Sequence, residues 1–394
     1  MPARSPFVVV VAPDSYKGSL DAPAVAAAIA DGLGRAAPDA RTVLRPMADG
    51  GEGTLDAVLR AAGEGATRGT LAVDGAGGAR IDAGYGIVTH DGEPTAVLEA
   101  AQVVAITDAA GMAVPVAARS TLGLGQQLRA LVDRGVRRFM IGLGGSSTND
   151  AGAGLLVALG LRLTDAGGRD VAPTPDGLAR LERADATGLD PRLASCAITI
   201  MSDVNNPLAG GRGATAIFGP QKGVARDRVA PIDATLARYA TIVERAIGRS
   251  AAANAGAGAA GGLGHALMLV GGTMRSGAAV VADLVGLDAA LDGASWAITG
   301  EGRSDAQTLL AKAPSVVADH ARARGVPVSL LSGAIDAAAL PALHGRFDGC
   351  FALPAGPATL DACVRDAASL LADRAEAMAR LFVAAREARG GDGR

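Results

Sequence analysis

Three acidic loops of the sequence place carboxylates beside glycine or other turn-forming residues. Their polar members are, in chain order, Asp49 with Glu52, Asp203 with Asn205, and Glu301 and Asp305 on either side of Arg303. Phosphoryl transfer requires oxygen ligands for Mg²⁺, a positive clamp, and a carboxylate that accepts the proton of the attacking hydroxyl. Together these loops could supply all three. One such loop alone more often caps a helix or forms a turn.

Lysine is rare in this chain, since only three of the 37 basic residues are lysines. Lys17, Lys222 and Lys312 all lie in or beside loops rich in glycine or proline. A compact ammonium group can sit on a phosphate as a point charge, which is one reason to retain lysine at such places. We therefore expect phosphate contacts at Lys17 and Lys222. For Lys312 a phosphate contact and a structural role fit the sequence equally well.

The segment Gly142–Gly154 (GLGGSSTNDAGAG) has the composition of an anion-binding loop. Glycines let backbone N–H groups approach an anion, and a helix that begins near Ala151 would add the positive end of its dipole. Ser146, Ser147 and Thr148 can donate hydroxyls, and Asn149 or Asp150 can cap the helix. The alternative is an ordinary turn with a helix cap. The segment is not the Walker P-loop, whose G-x-x-x-x-G-K-[ST] pattern is absent.

Composition disfavours several classes of function. A net charge of −3 without a basic stripe, and an aromatic content of 3%, argue against nucleic acid or an anionic membrane as partner. The four histidines lack the spacing of zinc ligands. The three cysteines form no C-x-x-C pair, which is typical of buried thiols in a reducing compartment. No apolar stretch reaches membrane length and residues 1–6 lack signal-peptide features, so we expect a cytoplasmic protein.

Alternating strands and helices must position these loops. Runs such as Phe7–Val11, Phe139–Leu143 and Val326–Leu331 each end in a polar or glycine-rich loop, and a helical pattern often follows. This alternation predicts an α/β fold with parallel sheets, in which ligands bind beyond the carboxyl ends of the strands. The stretch 69–104 instead predicts short strands joined by Asp-Gly and Gly-Gly turns.

Two domains are expected from the length of 394 residues. The first and last thirds have the pattern of one open α/β domain, built from residues 1–66 and 285–394. A second α/β domain, residues 67–284, is inserted between them and begins with the hairpin-rich stretch. The predicted architecture is therefore a parallel-sheet domain that carries an inserted α/β domain.

Seven segments resemble, in order and approximate spacing, those of the type I glycerate kinase family. They are APDSYKGSL (12–20), ADGGEGT (48–54), GLGGSSTNDAGAG (142–154), SDVNNPL (202–208), FGPQKG (218–223), GAGAAGGLG (256–264) and TGEGRSDAQT (299–308). The resemblance implies a Rossmann-like, flavodoxin-like domain with an inserted α/β domain. It also implies ATP-dependent phosphorylation of D-glycerate, with 2-phosphoglycerate the favoured product. Tyr16 and Ser147 depart from the Phe and Ala common in the family, but no charged motif residue is lost.

Roles follow from this resemblance and from the chemistry of the loops. The catalytic candidates are Asp203, Asp49 and Lys17, with either Asp203 or Asp49 orienting or deprotonating the glycerate hydroxyl. Substrate or phosphate contacts are expected from Asp14, Ser15, Gly144, Gly145, Ser146, Ser147, Asn149, Asn205, Lys222 and Arg303. Arg303 is the candidate for the glycerate carboxylate, because its planar fork suits two oxygens. Candidate Mg²⁺ ligands are Glu52, Glu301 and Asp305.

Two alternatives stay open at this point. One is a kinase of another small sugar or hydroxy acid, since Gly-Leu-Gly-Gly-Ser-Ser (142–147) is loosely similar to the phosphate loop of galactokinase-like enzymes. The other is a non-catalytic sensor of a hydroxy acid or nucleotide, which would bind without releasing ADP. The choice between the C2 and C3 hydroxyls depends on fine placement of the substrate and is not encoded in the motifs. A homodimer is compatible with the sequence.

Overall fold

The computed structural model describes residues 7–310 and 312–391. Residues 1–6, where the sequence predicts no signal peptide, lie outside this range. The strands are β1 (Val8–Val11), β2 (Arg41–Leu44), β3 (Thr67–Asp74), β4 (Arg80–His90), β5 (Glu93–Glu99), β6 (Arg138–Gly142), β7 (Arg162–Thr164), β8 (Arg183–Asp185), β9 (Ala197–Met201), β10 (Thr273–Arg275), β11 (Trp296–Thr299), β12 (Arg303–Ser304), β13 (Val328–Ser332), β14 (Ala334–Ile335) and β15 (Gly349–Ala352).

The helices alternate with these strands over much of the chain. They are α1 (Ala22–Ala36), α2 (Thr54–Ala62), α3 (Ala101–Val104), α4 (Ala109–Ala113), α5 (Leu122–Asp133), α6 (Ala153–Ala158), α7 (Pro175–Leu178), α8 (Ala214–Phe218), α9 (Val229–Ile247), α10 (Leu263–Leu269), α11 (Gly277–Leu284), α12 (Leu287–Leu291), α13 (Ala313–Ala323), α14 (Leu340–His344), α15 (Leu360–Arg365) and α16 (Ala367–Gly391). Within the described ranges, no helix is both long enough and apolar enough to cross a membrane.

The described chain divides into two compact units, called unit 1 and unit 2 below. Unit 1 comprises residues 7–49, 56–62 and 278–391, without 311, and unit 2 comprises residues 50–55 and 63–277. The segment ADGGEGT is therefore shared, because Asp49 groups with unit 1 and the residues that follow it group with unit 2. The domain boundaries expected near 66 and 285 stay a prediction.

Unit 1 is built on a parallel sheet with the strand order β15–β13–β11–β1–β2. Renumbered within this sheet along the chain, the order is 2-1-3-4-5, which is the flavodoxin-like order. The predicted flavodoxin-like α/β fold is thereby confirmed. The order reverses direction between β1 and β11, so the crevice beyond the carboxyl ends of these two strands is where this fold binds ligands.

The valines of β1 explain why this strand lies at the centre of the sheet. Val9, Val10 and Val11 have no exposed surface, as expected for a parallel strand covered by helices on both faces. Val9 and Val11 pack in one cluster with Ile29 of α1, whereas Val10 packs in the cluster on the other face. Successive side chains alternate between faces, so a continuous apolar run fills both cores.

Unit 2 contains a mixed sheet with the order β10–β9–β6–β5–β4–β3. Strands β3, β4 and β5 pair antiparallel, and the pairs from β5 to β10 are parallel. The β4–β5 hairpin turns at Asp91 and Gly92, whose φ angles of 51° and 78° suit the two-residue turns that match strand twist. A single large apolar cluster, which includes Phe139, Ile141 and Tyr239, forms the core of this unit.

Candidate active site

A cavity of about 720 Å³ lies in unit 1. It is lined by loops that follow the carboxyl ends of β1, β2, β11, β13 and β15, the edge at which ligands are expected in this fold. Its charged lining includes Asp14, Lys17, Asp49, Glu301, Arg303 and Lys312. The structure therefore brings together, within one unit, most of the charged residues that the sequence singled out in segments 12–20, 48–54 and 299–308.

Lys17 and Asp49 form an ion pair in this cavity. The Lys17 Nζ lies 3.3 Å from Asp49 Oδ2, and the Lys17 side chain is 78% exposed. The charge of Asp49 is the main cause that raises the pKa of Lys17, so the lysine is held in its cationic form. An ion pair this exposed contributes little to folding stability. Its ammonium group can therefore contact an anionic ligand with little loss of folding free energy.

Asp14 is a buried carboxyl beside this pair. It follows β1 and is 8% exposed, and its Oδ1 accepts a hydrogen bond of 2.6 Å from the Ser15 N–H. Burial raises the pKa of Asp14 to about 7, and the negative charges of Asp49 and Glu301 add to this rise. A carboxyl whose pKa lies near neutrality can hold or release a proton under physiological conditions.

The raised pKa of Asp14 predicts that unit 1 loses stability as the pH rises. Between the ordinary value of 3.8 and about 7, the folded state keeps a proton that the unfolded state has released. The free energy of unfolding therefore falls with pH in this window, by up to about 1.4 kcal/mol per pH unit. Asp14→Asn cannot titrate, so its urea midpoint should exceed that of the wild type at pH 8, and the difference should shrink toward pH 4.

The fluorescence of Trp296 is the readout for that experiment. Trp296 is the single tryptophan of the chain and is 3% exposed in the core of unit 1, so its emission reports the unfolding of this unit. The comparison uses wild type and Asp14→Asn at each pH, which cancels titrations that both proteins share. A difference that stays constant from pH 4 to pH 8 would contradict the buried, proton-retaining Asp14.

Glu301 is held by hydroxyl groups after β11. Its Oε1 accepts hydrogen bonds from Ser304 Oγ at 3.1 Å and Thr308 Oγ1 at 2.6 Å. Its Oε2 lies 3.7 Å from Lys312 Nζ. The carboxylate is 8% exposed, and these partners fix its position on the cavity wall. Lys312, for which the sequence allowed either role, thus lies at the cavity with a side chain that is 33% exposed.

Asp305 acts as a helix cap in the structure. Its Oδ1 accepts a 2.7 Å hydrogen bond from the Gln307 N–H, and its own N–H donates to Thr308 Oγ1 at 2.9 Å. These bonds form a capping box at the short helix Ala306–Leu309. Arg303, by contrast, is 71% exposed at the cavity, and its guanidinium lies 3.9 Å from Asp336 Oδ2.

The carboxylates of the cavity suit Mg²⁺ in their chemistry but do not form a preassembled metal site. In the described part of the chain, no group of three or more His, Cys, Asp or Glu side chains is placed to hold a metal ion. Mg²⁺ commonly binds through one or two protein carboxylates, with waters and substrate phosphates completing its shell. The hard oxygens of Asp49 and Glu301 fit this need. Of the three predicted ligands, only Glu301 lines the cavity, whereas Asp305 caps the short helix Ala306–Leu309 and Glu52 is exposed in unit 2.

The glycines of segment 142–154 allow two backbone segments of unit 2 to touch. The Gly144 N–H donates to Gly50 O at 3.1 Å. A Cβ atom on Gly144 would lie 2.4 Å from the Cα of Gly51, and one on Gly142 would lie 2.4 Å from Gly50 O. Side chains at these positions would separate the segments. Glycine at positions 142 and 144 therefore permits this close packing of the backbone. The Gly144 N–H, which was expected to bind phosphate, already donates to a protein carbonyl.

The polar residues that follow are buried inside unit 2. Ser147, Thr148, Asn149 and Asp150 have no exposed surface. Ser147 donates from both its N–H and its Oγ to Val104 O, at 2.8 and 3.0 Å. The Asn149 side chain donates to a threonine hydroxyl of α8. The next helix begins at Ala153, and the Asp150 carboxylate accepts hydrogen bonds from the Gly152 and Gly154 N–H groups at 3.1 and 3.2 Å. Their expected contacts with substrate stay predictions.

Lys222 lies behind this loop. It is 2% exposed, and its Nζ donates to Thr148 O at 2.8 Å and to Ser146 Oγ at 3.2 Å. Burial lowers the pKa of Lys222 to about 7. The guanidinium of Arg119 donates to both Ser147 O and Lys222 O, which ties the two segments together. These contacts hold the loop in place, and a phosphate contact of Lys222 stays a prediction.

Gly144→Ala is expected to destabilise unit 2 by about 1–3 kcal/mol, because the added methyl group overlaps the backbone of Gly51. Gly211→Ala is the matched control, since Gly211 is exposed, has no atom within 4 Å of an added Cβ, and has no positive φ. Urea unfolding followed by circular dichroism measures both variants. Equal midpoints for the two would show that the close approach at Gly144 is not required.

Asp203 and Asn205 lie in the loop after β9, and both are exposed. In the same loop the Val204 N–H donates to Ser202 Oγ at 3.2 Å. Of the predicted residues in unit 2, Ser146, Ser147, Asn149 and Lys222 are buried, Gly144 is half-buried, and Glu52, Gly145, Asp203 and Asn205 are exposed. The predicted residues of unit 1 line the cavity, except Asp305, which caps the short helix Ala306–Leu309.

Sequence reasoning missed the apolar part of the cavity. Leu353, Leu360 and Val364 line it beside Asp336. Leu360 and Val364 are one helical turn apart on α15, which Thr359 caps through its hydroxyl. The spacing marks a common helix face. No motif distinguishes such a face from one that packs into a core.

Lysines and carboxylates beyond the carboxyl ends of parallel strands lie where this fold binds ligands and have the chemistry that phosphoryl transfer requires. The chain belongs to the glycerate kinase family, whose family model matches residues 9–383. It is 40% identical to glycerate 2-kinase of Escherichia coli over 91% of this chain and 93% of that protein. It is 37% identical to glycerate kinase of Bacillus subtilis over 92% of this chain and 94% of that protein.

A solved structure agrees with this assignment. The crystal structure of a candidate glycerate kinase 2 from Salmonella typhimurium LT2 superposes with a TM-score of 0.83 at 38% identity, covering 97% of this chain and 100% of that chain. The resemblance seen in the seven motif segments is confirmed. The protein is therefore a kinase, and ATP is its phosphate donor.

Proposed function

We propose that this kinase transfers the γ-phosphoryl group of ATP to the C2 hydroxyl of D-glycerate. The bond between the γ-phosphorus and the β,γ-bridging oxygen breaks, and a bond from the C2 oxygen to phosphorus forms. The hydroxyl proton passes to a carboxylate, and the products are ADP and 2-phosphoglycerate. The observation that carries this proposal is the exposed Lys17–Asp49 pair beside the buried carboxyls of Asp14 and Glu301 in one cavity. The name of the E. coli relative supports the C2 position.

Lys17 is the positive clamp in this proposal. Its side chain is 78% exposed at the cavity, and the charge of Asp49 keeps it protonated. Phosphoryl transfer depends mainly on positioning and on stabilising the charge of the transferred group. The Lys17 ammonium group can supply that charge to the phosphoryl oxygens.

Asp49 is our first candidate for the proton acceptor. Its carboxylate lies beside Lys17 and lines the cavity, with a side chain that is 31% exposed. Asp203 is the second candidate, since it is an exposed carboxylate at the end of a parallel strand in unit 2. Asp14, whose pKa burial raises to about 7, is partly protonated next to Asp49 near neutral pH and so reduces the negative charge that faces the phosphates.

Further roles are proposed for Arg303 and for residues 144–149 with Lys222. Arg303 is exposed at the cavity, and its planar fork suits the carboxylate of glycerate. We assign residues 144–149 and Lys222 a supporting role, because the hydrogen bonds of Gly144, Ser147 and Lys222 join segments within unit 2. When Mg²⁺ is bound, Glu301 or Asp49 would hold it, and it would neutralise charge on the ATP phosphates. A cytoplasmic location and a homodimer stay predictions.

Release of ADP tests the proposal. Purified protein is mixed with ATP, Mg²⁺ and D-glycerate, beside reactions that contain L-glycerate, galactose, mevalonate or no acceptor. ADP release that requires D-glycerate is expected. Release with another acceptor but not with glycerate would favour a kinase of a different small molecule. Binding without any release would favour the sensor alternative.

A further inference from the structure

We infer that the apolar side of the unit 1 cavity binds the adenosine moiety of ATP, with the polyphosphate directed toward the lysines. This inference rests on the proposed function, because it assigns the nucleotide of that reaction to one part of the cavity. The apolar lining comes from the loop after β15 and from α15, namely Leu353, Pro354, Ala358, Leu360, Cys363 and Val364. The cations come from the loops after β1 and β11.

Cavity size favours the larger of the two substrates. Sites for drug-sized ligands are roughly 300–1,000 Å³, and this cavity measures about 720 Å³. A nucleoside triphosphate fits that range. Glycerate is a three-carbon acid that would leave most of the space filled with water and would cover none of the apolar wall.

The exposed apolar side chains of α15 can pack against a flat apolar group of a ligand. Leu360 is 77% exposed and Val364 is 39% exposed, although both are large hydrophobic residues. They are spaced i, i+4, so they share one helix face. Exposed apolar surface that is rimmed by polar groups commonly marks a ligand site. A purine ring has apolar faces that can cover both side chains, whereas every carbon of glycerate carries oxygen.

Two contacts fix this wall relative to the charged side. Ser19 Oγ donates to Val364 O at 2.9 Å, which joins the loop after β1 to α15. The Tyr16 hydroxyl donates to Leu331 O at 2.7 Å, which joins the same loop to β13. Lys17 lies between these two anchors in sequence. The lysine and the apolar wall are therefore parts of one connected structure.

Charge complements the phosphates on the other side. Lys17, Arg303 and Lys312 pair with carboxylates at 3.3, 3.9 and 3.7 Å. These distances are long for charge-assisted hydrogen bonds. A polyphosphate can displace such partners, and a divalent cation that accompanies ATP would take the carboxylates. The cavity therefore matches the nucleotide. Its apolar side can contact the base, and its cations can contact the anionic phosphates.

Alkylation of Cys363 tests the location without measuring turnover. The intact protein is treated with N-ethylmaleimide in the presence of ADP, D-glycerate or neither, and the modified cysteines are mapped by mass spectrometry. ADP should slow alkylation of Cys363 at least tenfold, and D-glycerate alone should not. Cys196 and Cys350 do not line the cavity, and ADP should leave their rates unchanged. Protection of Cys363 by D-glycerate but not by ADP, or by neither, would overturn the inference.

A charged substitution provides the kinetic test. Leu360→Arg should raise the KM for ATP about tenfold or more while the KM for D-glycerate changes less than twofold. Leu381→Arg is the matched control, because Leu381 is 66% exposed on α16 and does not line the cavity. If Leu360→Arg turns over D-glycerate with an unchanged KM for ATP, the adenosine site is wrong and the proposed function still holds. If ADP protects Cys363 but the wild type does not turn over D-glycerate, the nucleotide location is supported and the proposed function is wrong.

Discussion

Asp49→Asn should lower kcat by about 10²–10⁴-fold, the usual contribution of a positioned proton acceptor. Asparagine has nearly the same shape as aspartate, but it cannot accept the proton of the glycerate hydroxyl. It also removes the negative partner that lies 3.3 Å from Lys17 Nζ. The KM for ATP should change much less than kcat, because the cations of the cavity remain. Steady-state kinetics with ATP as the varied substrate, at saturating D-glycerate, measures both constants.

Asp203→Asn is measured in parallel, because it separates the two candidate acceptors. The variant with the larger loss of kcat identifies the acceptor, provided that circular dichroism shows an unchanged fold. A large loss in Asp203→Asn with near-normal turnover in Asp49→Asn would move the acceptor to unit 2. Near-normal turnover in both would remove these carboxylates from the mechanism.

Lys17→Ala should lower kcat by about 10²–10³-fold, as expected when one preorganised group that stabilises transition-state charge is removed. The Lys17 side chain is 78% exposed, so its loss should leave the fold intact. Lys17→Arg keeps the positive charge and should recover part of the activity. Recovery by arginine would show that charge at this position is required.

Arg322→Ala is the control for the lysine variants. Arg322 is an exposed cation of α13 in unit 1 that does not line the cavity, and its removal should leave kcat and KM unchanged. Equal kcat and KM values for Lys17→Ala and the wild type would show that Lys17 takes no part in the reaction. A loss in Lys17→Arg as deep as that in Lys17→Ala would show that shape, as well as charge, matters at this position.

The fold of unit 1 was predictable because its signals are local. Three apolar runs identify the central strands, namely Val8–Val11, Trp296–Thr299 and Val328–Ser332. The loops that follow them carry the polar residues. In a parallel sheet those loops meet at one edge. Sequence reasoning could therefore group Lys17, Asp49 and Glu301 as site candidates before any geometry was known.

The environment of the glycine-rich segment was not predictable, because it depends on long-range packing. Nothing in the sequence near Gly144 shows that its N–H bonds to Gly50 O. The same holds for Lys222, whose burial against Thr148 O brings together residues far apart in sequence. A glycine that permits close packing of two backbone segments and a glycine that lets backbone amides bind an anion have the same local sequence pattern. Leu360 was missed for a related reason, because the sequence pattern of an apolar helix face is the same whether the face is buried or exposed.

Phosphorus NMR of the product distinguishes transfer to the C2 hydroxyl of D-glycerate from transfer to C3. The product of a reaction with ATP, Mg²⁺ and D-glycerate is isolated, and its phosphorus–proton coupling is recorded. We expect a phosphorus doublet, because C2 carries a single proton. A triplet from the methylene group at C3 would contradict the C2 assignment, and the absence of any phosphorylated glycerate would contradict the proposed reaction.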